Sequence, residues 1–244
     1  MKSKAKRNLD TRILNGKDID DATLRQLWSL RLDFLELKIA KDEDWRKFRS
    51  ILNKDNTLIF SFWGEGALQG YFTFSFNPVE HAKRKALLVH SKYYYVRPAY
   101  RGHSKITAAA WRLLPGIIWR YGLRQLYFAA FSFPTSYVSL SRTFGRVMTI
   151  QSSVTPAWEK YIFEAFVKEQ SGQDWDEQAS LIRHQNVPFG EDKLPSSSVK
   201  KLRSEYESLN PEWADGVSLP ILMKFDWQTI KSILGNNFRR MSRG

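Results

Sequence analysis

Cysteine is absent from this chain of 244 residues. Without a thiol there is no disulfide, no cysteine nucleophile and no thiolate metal site. The absence fits a reducing compartment, and we expect a cytoplasmic protein. The four histidines lack the spacing of metal ligands, so we expect no metal; they are His81, His90, His103 and His184.

Long apolar runs are also lacking. None approaches the roughly 20 residues that a membrane-spanning helix needs. The basic N-terminus leads into Asn8-Leu9-Asp10 rather than an apolar stretch, so we expect no signal peptide. Hydrophobic residues nevertheless make up 43% of the chain. That content excludes wholesale disorder and predicts a globular protein without a membrane span.

Carboxylates are missing from the middle of the chain. Residues 81–158 contain no Asp or Glu, and the whole chain has a net charge of +13. A long segment of one sign indicates a polyanionic partner. The alternative is a solvated basic surface that only aids solubility, but so long a run favours the functional interpretation.

The periodicity of apolar residues predicts an α+β chain with a mostly antiparallel sheet flanked by helices. The predicted strands cover 11–15, 57–63, 68–76, 86–96, 123–131, 146–151 and 217–225. The predicted helices run from Asp20 to Leu37, over 42–52, from Ser104 to Gly122 with Pro115 inside, and over 134–145, 158–169, 197–209 and 227–234. We expect one domain over 1–244, with a core at 11–151, a last strand at 217–225 and an insertion at 152–216.

The segment from Tyr95 to Ser104 is the strongest candidate for chemistry. A loop that enters a helix exposes backbone N–H groups at the positive end of the helix dipole. Gly102 would allow a ligand to approach the backbone closely, and cations surround it at Arg97, Arg101, His103 and Lys105. These features predict a phosphate site. The alternative is an ordinary helix capped by Ser104, with solvated basic side chains.

The order of elements and the run Val96-Arg97-Pro98-Ala99-Tyr100-Arg101-Gly102 resemble the GNAT N-acyltransferase superfamily. In that family a central strand ends in Val-x-Pro-x-x-Arg-Gly and turns into the donor-binding helix. Ser104 and Ile106 stand where the family has glycines. The resemblance implies a GNAT fold and a thioester donor, either acyl-CoA or the phosphopantetheine arm of an acyl carrier protein. It places the donor at Val96, Arg97, Arg101, Gly102, His103, Ser104 and Lys105.

The catalytic groups are less obvious. The family often uses a carboxylate in the strand before the loop and a Tyr in a later helix, where this chain has Ser141. Strand alternation puts His90 and Tyr94 on one face, with Lys92 between them. His90 is the candidate base and Tyr94 its candidate partner. The alternative for His90 is a buried core histidine. Tyr137 is a weaker candidate for the acid.

Two functional hypotheses follow. The first is an N-acyltransferase with an amine acceptor, similar to the long-chain N-acyl amino acid synthases; an acidic carrier protein would suit its basic segment. The second is a GNAT-like domain that has lost the reaction and binds nucleic acid or an acidic protein.

Overall fold

The computed structural model describes residues 8–101, 103–122, 125–150, 152, 154–171, 175–176, 178, 180–183, 186–188 and 197–231. Its strands are β1 (Asp10–Asn15), β2 (Leu35–Leu37), β3 (Thr57–Gly64), β4 (Ala67–His81), β5 (Arg84–Ser91), β6 (Tyr94–Val96), β7 (Leu126–Ser132), β8 (Trp175–Asp176), β9 (Leu181–Arg183), β10 (Asn186–Pro188) and β11 (Val217–Lys224). Its helices are α1 (Asp21–Leu32), α2 (Lys41–Leu52), α3 (Ser104–Tyr121), α4 (Pro134–Phe144), α5 (Ala157–Ser171) and α6 (Ser197–Leu209). Residues 227–231 are also helical.

The chain forms two compact units, and each contains two stretches of sequence. The first unit holds residues 1–77 and 90–120, and the second holds 78–89 and 121–244. Whether they act as the single predicted domain stays a prediction.

In the first unit, antiparallel strands form the sheet that carries the candidate loop. β3 pairs with β1 on one side and with β4 on the other. Phe62 pairs with Gly70 and Trp63 pairs with Leu68, so the extra residue of this bulge, Gln69, lies in β4. β6 pairs antiparallel with β4, so that Val96 lies opposite Gly70. A Cβ added to Gly70 would lie 2.9 Å from the Val96 side chain, so this close pairing needs glycine.

The helices of the first unit cover this sheet with aromatic and aliphatic side chains. The Asp20 carboxylate accepts the Thr23 N–H at 2.7 Å and begins α1. α1 ends at Leu32 rather than at the predicted Leu37, because Leu35–Leu37 is extended. α1 and α2 pack Leu27 and Phe48 into one core with Tyr71. α3 contributes Ile106 to a second core with Phe60 and Phe72.

The predicted strand at 86–96 is interrupted. β5 ends at Ser91 and β6 begins at Tyr94, with Lys92 and Tyr93 between them. The Thr73 hydroxyl accepts the Tyr93 N–H at 3.2 Å, and the Thr73 N–H donates to the Tyr93 carbonyl at 3.0 Å. A side chain thus replaces one rung of the backbone ladder. The alternation on which the sequence prediction relied is broken at this point.

In the second unit, β5, β7, β11, β9 and β8 lie side by side in that order. β11 is antiparallel to both β7 and β9 and continues through Pro220, as predicted. α5 packs Ile162, Phe163 and Phe166 against this sheet. The α+β class with a mostly antiparallel sheet is confirmed. The predicted strand at 146–151 is wrong within the described residues, because Met148 makes only an isolated bridge to Leu222.

Candidate functional site

One edge of β6 is open. Among the strands of the described residues, β6 pairs with β4 alone. The Arg97 N–H donates to Gln69 O at 2.9 Å, and the Tyr93 carbonyl accepts from Thr73. Because backbone direction alternates along a strand, Tyr94 and Val96 turn their N–H and C=O groups away from β4. The open edge therefore presents a donor and an acceptor from Tyr94 and a donor from Val96.

A tight loop carries the chain from this edge into α3. Pro98–Tyr100 forms one turn of 3-10 helix, in which the Tyr100 N–H donates to Arg97 O at 2.9 Å. The Tyr100 side chain is buried in the core with Phe60 and Phe72. The His103 N–H then donates to Tyr100 O at 3.1 Å. The buried Tyr100 thus anchors the loop at the end of the open edge.

The residue that caps α3 is His103. Its Nδ1 accepts the Lys105 N–H at 3.2 Å, and its carbonyl accepts the Ile106 N–H at 3.0 Å. The alternative of Ser104 as the cap is wrong, because Ser104 is already the first helical residue. Gly102 lies outside the described residues.

The predicted cations of the loop have partners within the chain. Arg101 Nε donates to Val96 O at 3.0 Å. Lys105 Nζ donates to Leu9 O at 2.6 Å, and Arg97 Nη2 forms an exposed ion pair with Asp33 at 2.7 Å. Each of these three side chains is thus already hydrogen-bonded to an oxygen of the chain itself. A bound anion would share them with the chain's own oxygens.

His90 and Tyr94 occupy different environments. His90 is 0% exposed, whereas Tyr94 is 58% exposed and stacks on Phe72 with ring centroids 6.2 Å apart. The interruption at Lys92 and Tyr93 separates them. Desolvation raises the pKa of Tyr94, and the nearby Arg101 charge partly opposes that shift. The Tyr94 phenol thus keeps its proton at neutral pH, as a general acid must.

Tyr137, the weaker candidate for the acid, is buried in the protein and is not accessible to a substrate. It is buried, and its hydroxyl donates to Glu205 Oε1 at 2.8 Å. Burial raises its pKa, and the bond to Glu205 adds to the shift. The hydroxyl is thus already engaged with another helix of the second unit.

A buried ion pair between α1 and α2 is the polar feature that sequence reasoning missed. Arg31 donates to both Asp44 oxygens, at 2.5 and 2.9 Å, and the two residues are only 4% and 2% exposed. Trp28 Nε1 adds a third donor to Asp44 at 2.7 Å. The signal was available: Asp44 precedes Phe48 and Leu52 by four and eight residues, so it lies on the apolar face of α2.

Tyrosines surround this pair. The Arg31 guanidinium lies 5.7 Å from the Tyr93 ring centroid, and the Tyr71 and Tyr95 rings are 5.6 Å apart. Burial raises the pKa of Tyr71 and of Tyr93. Burial is the largest influence on the pKa of Arg31 and by itself would lower it, but the bond to Asp44 and the charges of Tyr95, Tyr93 and Asp44 together leave the pKa raised. The Arg31 guanidinium therefore stays charged at neutral pH.

No group of three or more His, Cys, Asp or Glu side chains in the described part of the chain is arranged to hold a metal ion. No helix in the same part is long and apolar enough to cross a membrane.

Comparison with known proteins gives structural similarities only. No family model and no curated protein matches the sequence. An acetyltransferase of Trypanosoma brucei is 16% identical with a TM-score of 0.41, and the match covers 61% of this chain and 100% of that one. A ribosomal-protein-alanine N-acetyltransferase of Brucella melitensis is 17% identical with a TM-score of 0.41, over 61% and 99%. A predicted acetyltransferase of Clostridium acetobutylicum, solved with acetyl-CoA, is 17% identical with a TM-score of 0.42, over 62% and 98%.

These identities and TM-scores assign no family to the chain, and its function is inferred from its own residues. About two fifths of the chain lies outside each of these matches.

Proposed function

We propose that this protein is an N-acyltransferase that moves an acyl group from acyl-CoA to an amine. The observation that carries the proposal is the open edge of β6, which leads through one tight turn into the N-terminus of α3. The pantetheine arm of coenzyme A contains two amides. An extended amide chain binds well along an unpaired strand edge, where backbone donors and acceptors alternate.

The phosphates of the donor would lie at the first turn of α3. The dipole of α3 favours an anion there, and Arg101, His103, Ser104 and Lys105 surround the turn. Arg97 and the Val96 N–H complete the proposed set with Gly102. The absence of carboxylates from residues 81–158 supports this assignment, because no acidic side chain of that segment would repel the phosphates.

The reaction requires two proton transfers. The amine attacks the thioester carbonyl, and a base takes the proton that the new ammonium group loses. The tetrahedral intermediate then expels the thiolate, which takes a proton from an acid. We assign the acid to Tyr94, which is at the open edge and protonated. His90 is the proposed base; its complete burial means that it acts only if the acceptor or a water molecule reaches it.

The donor is tested by calorimetric titration of the full chain with CoA and with a long-chain acyl-CoA at one fixed ionic strength. Arg101→Ala should weaken binding by about 1–3 kcal/mol, the range for a charge-assisted hydrogen bond. Arg146→Ala is the matched control, because Arg146 is exposed and lies in the same carboxylate-free segment, outside the loop. Equal affinities of the wild type and Arg101→Ala would contradict the donor site.

The nature of the donor is tested with an acyl carrier protein, loaded and unloaded. Each buried methylene contributes about 0.8 kcal/mol, so an acyl chain that enters the protein should give the loaded form at least about ten-fold tighter binding. Preference for acyl-CoA over both forms would assign CoA as the donor. Tight binding of single-stranded DNA or RNA, without any acyl preference, would support the non-enzymatic alternative and contradict our proposal.

A further inference from the structure

The second half of α3 is an apolar run that is partly exposed. The seven residues Leu113–Trp119 carry no charged or polar side chain; Pro115, Gly116 and Trp119 are exposed and the other four are half-buried, with Leu113 packed against the core that contains Phe60 and Phe72. Trp119 is 93% exposed. Isolated apolar residues at a surface are common, but a run of this length with an exposed indole indicates a binding surface.

The helix separates this surface into an apolar arc and a cationic edge. At 100° per residue, the side chains of Leu114, Ile118, Pro115 and Trp119 follow one another around one side of α3. Arg112 and Arg120 are exposed and continue the surface beyond Trp119. We call these six residues the α3 surface.

The charge of the α3 surface restricts its partner. No carboxylate occurs anywhere in residues 81–158. A second copy of this chain bound through the same surface would bring its own arginines to those of the first copy. The α3 surface is therefore poorly suited to self-association and suited to a partner that is both apolar and anionic.

We propose that the α3 surface docks on a bilayer that contains anionic lipids. Interfacial helices lie in the membrane plane with their apolar side at the acyl boundary and their basic side chains among the head groups. The indole ring favours the same depth. A nucleic acid would satisfy the arginines but leave Leu114, Pro115 and Ile118 in water. The inference does not depend on the proposed acyltransferase activity.

Sedimentation of the full chain with two kinds of vesicle tests the proposal. One kind contains equal parts of phosphatidylglycerol and phosphatidylcholine, and the other contains phosphatidylcholine alone. We expect binding to the first kind only, and a loss of that binding as salt concentration rises. Each arginine near a charged surface contributes about 1 kcal/mol, so the double variant Arg112→Gln with Arg120→Gln should bind about thirty-fold more weakly.

Matched variants separate this surface from general charge and general hydrophobicity. Arg46→Gln with Arg49→Gln removes the same charge from exposed positions of α2 and should change binding much less. Trp119→Ala should reduce binding about ten-fold, given the apolar area that an indole buries. Trp227→Ala is its control, because Trp227 is 69% exposed but lies outside α3.

Several results would overturn the proposal. These are equal sedimentation with both kinds of vesicle, a Trp119→Ala variant that binds like the wild type, and α2 and α3 charge variants that lose binding equally. A protein that is dimeric by sedimentation equilibrium, and monomeric as Trp119→Ala, would show that a second copy covers the surface instead. Tighter binding of RNA than of anionic vesicles, lost in the arginine double variant, would assign a nucleic acid.

Discussion

Arg31 and Asp44 each stand on the apolar face of their own helix, where a single charge would be costly. The two-pronged contact between them, together with the Trp28 N–H, makes both tolerable. The pair also sets how α1 lies against α2, since a planar guanidinium meets a carboxylate in few geometries. The role of the pair is to position the two helices over Tyr71, Tyr93 and Tyr95.

Removal of one partner should therefore destabilise the fold strongly. Asp44→Ala leaves a buried guanidinium uncompensated and should lower the free energy of unfolding by about 3–5 kcal/mol. Urea denaturation followed by circular dichroism measures it. The matched control is Glu43→Ala, which breaks an exposed pair with Lys47 and should change stability by less than about 1 kcal/mol. Equal effects of the two variants would contradict the structural role.

Kinetic measurements on variants can distinguish the proposed catalytic roles of Tyr94 and His90. Tyr94→Phe should lower kcat while leaving the affinity for acyl-CoA nearly unchanged, because the hydroxyl group that gives up the proton is lost while the aromatic ring remains. His90→Gln should lower kcat and remove the acidic limb of the pH–rate profile if His90 is the base. A His90→Gln chain that unfolds would instead identify a core histidine. Full activity of both variants would contradict both assignments.

At the scale of elements, α3 depends on a side chain that sequence reasoning assigned to the ligand. His103 Nδ1 satisfies the Lys105 N–H, a group that would otherwise be offered to a phosphate. The cap and the proposed donor thus compete for the same helix terminus. His103 accordingly has a structural role in the unliganded protein, whatever it contributes to binding.

The cap can be tested apart from any ligand. His103→Ala should lower the free energy of unfolding by about 1 kcal/mol, whereas His103→Asn replaces the ring nitrogen with an amide oxygen acceptor and should retain most of the stability. Urea midpoints of the two variants measure the difference. Equal midpoints for Ala and Asn would mean that the cap contributes nothing.

At the scale of the whole molecule, buried phenols dominate the response to alkali. Seven of the ten tyrosines have a raised pKa, and in each burial is the largest cause. In the unfolded chain a tyrosine ionises near pH 10. Because the folded pKa is higher, the stabilisation is complete below pH about 10 and is lost as the pH rises from there toward the folded values.

Spectroscopic titration of tyrosinate checks this response. The native protein should titrate most of its tyrosines later than the same chain in urea, and it should unfold cooperatively as they ionise. Tyr71→Phe offers a specific comparison. Its hydroxyl is buried and makes no hydrogen bond among the described residues, so its removal should leave neutral stability nearly unchanged and delay alkaline unfolding. A native titration that coincides with that in urea would contradict the prediction.

The sequence by itself determined the class of fold and the place of the candidate loop. Local sequence patterns predicted β3, α2 and α6 almost to the residue, because a continuous apolar run marks the buried strand β3 and the spacing of apolar residues marks one face of each helix. Pro98 and Pro134 marked the starts of a turn and a helix for the same reason: a fixed φ acts locally. The basic segment could also be read directly, since charge does not depend on folding.

Only the tertiary structure decided what depends on residues far apart in sequence. The break between β5 and β6 follows from the Thr73 hydroxyl, 20 residues before Tyr93, which replaces a backbone acceptor. The burial of His90 and the exposure of Tyr94 follow from that break, and a pattern of strict alternation has no means to predict it. The Arg31–Asp44 pair joins α1 to α2. The apolar periodicity of each helix shows that a charged residue lies on its apolar face, but it does not show which residue of the other helix pairs with that charge. Side-chain contacts between distant segments, rather than local propensity, decide which candidate groups meet.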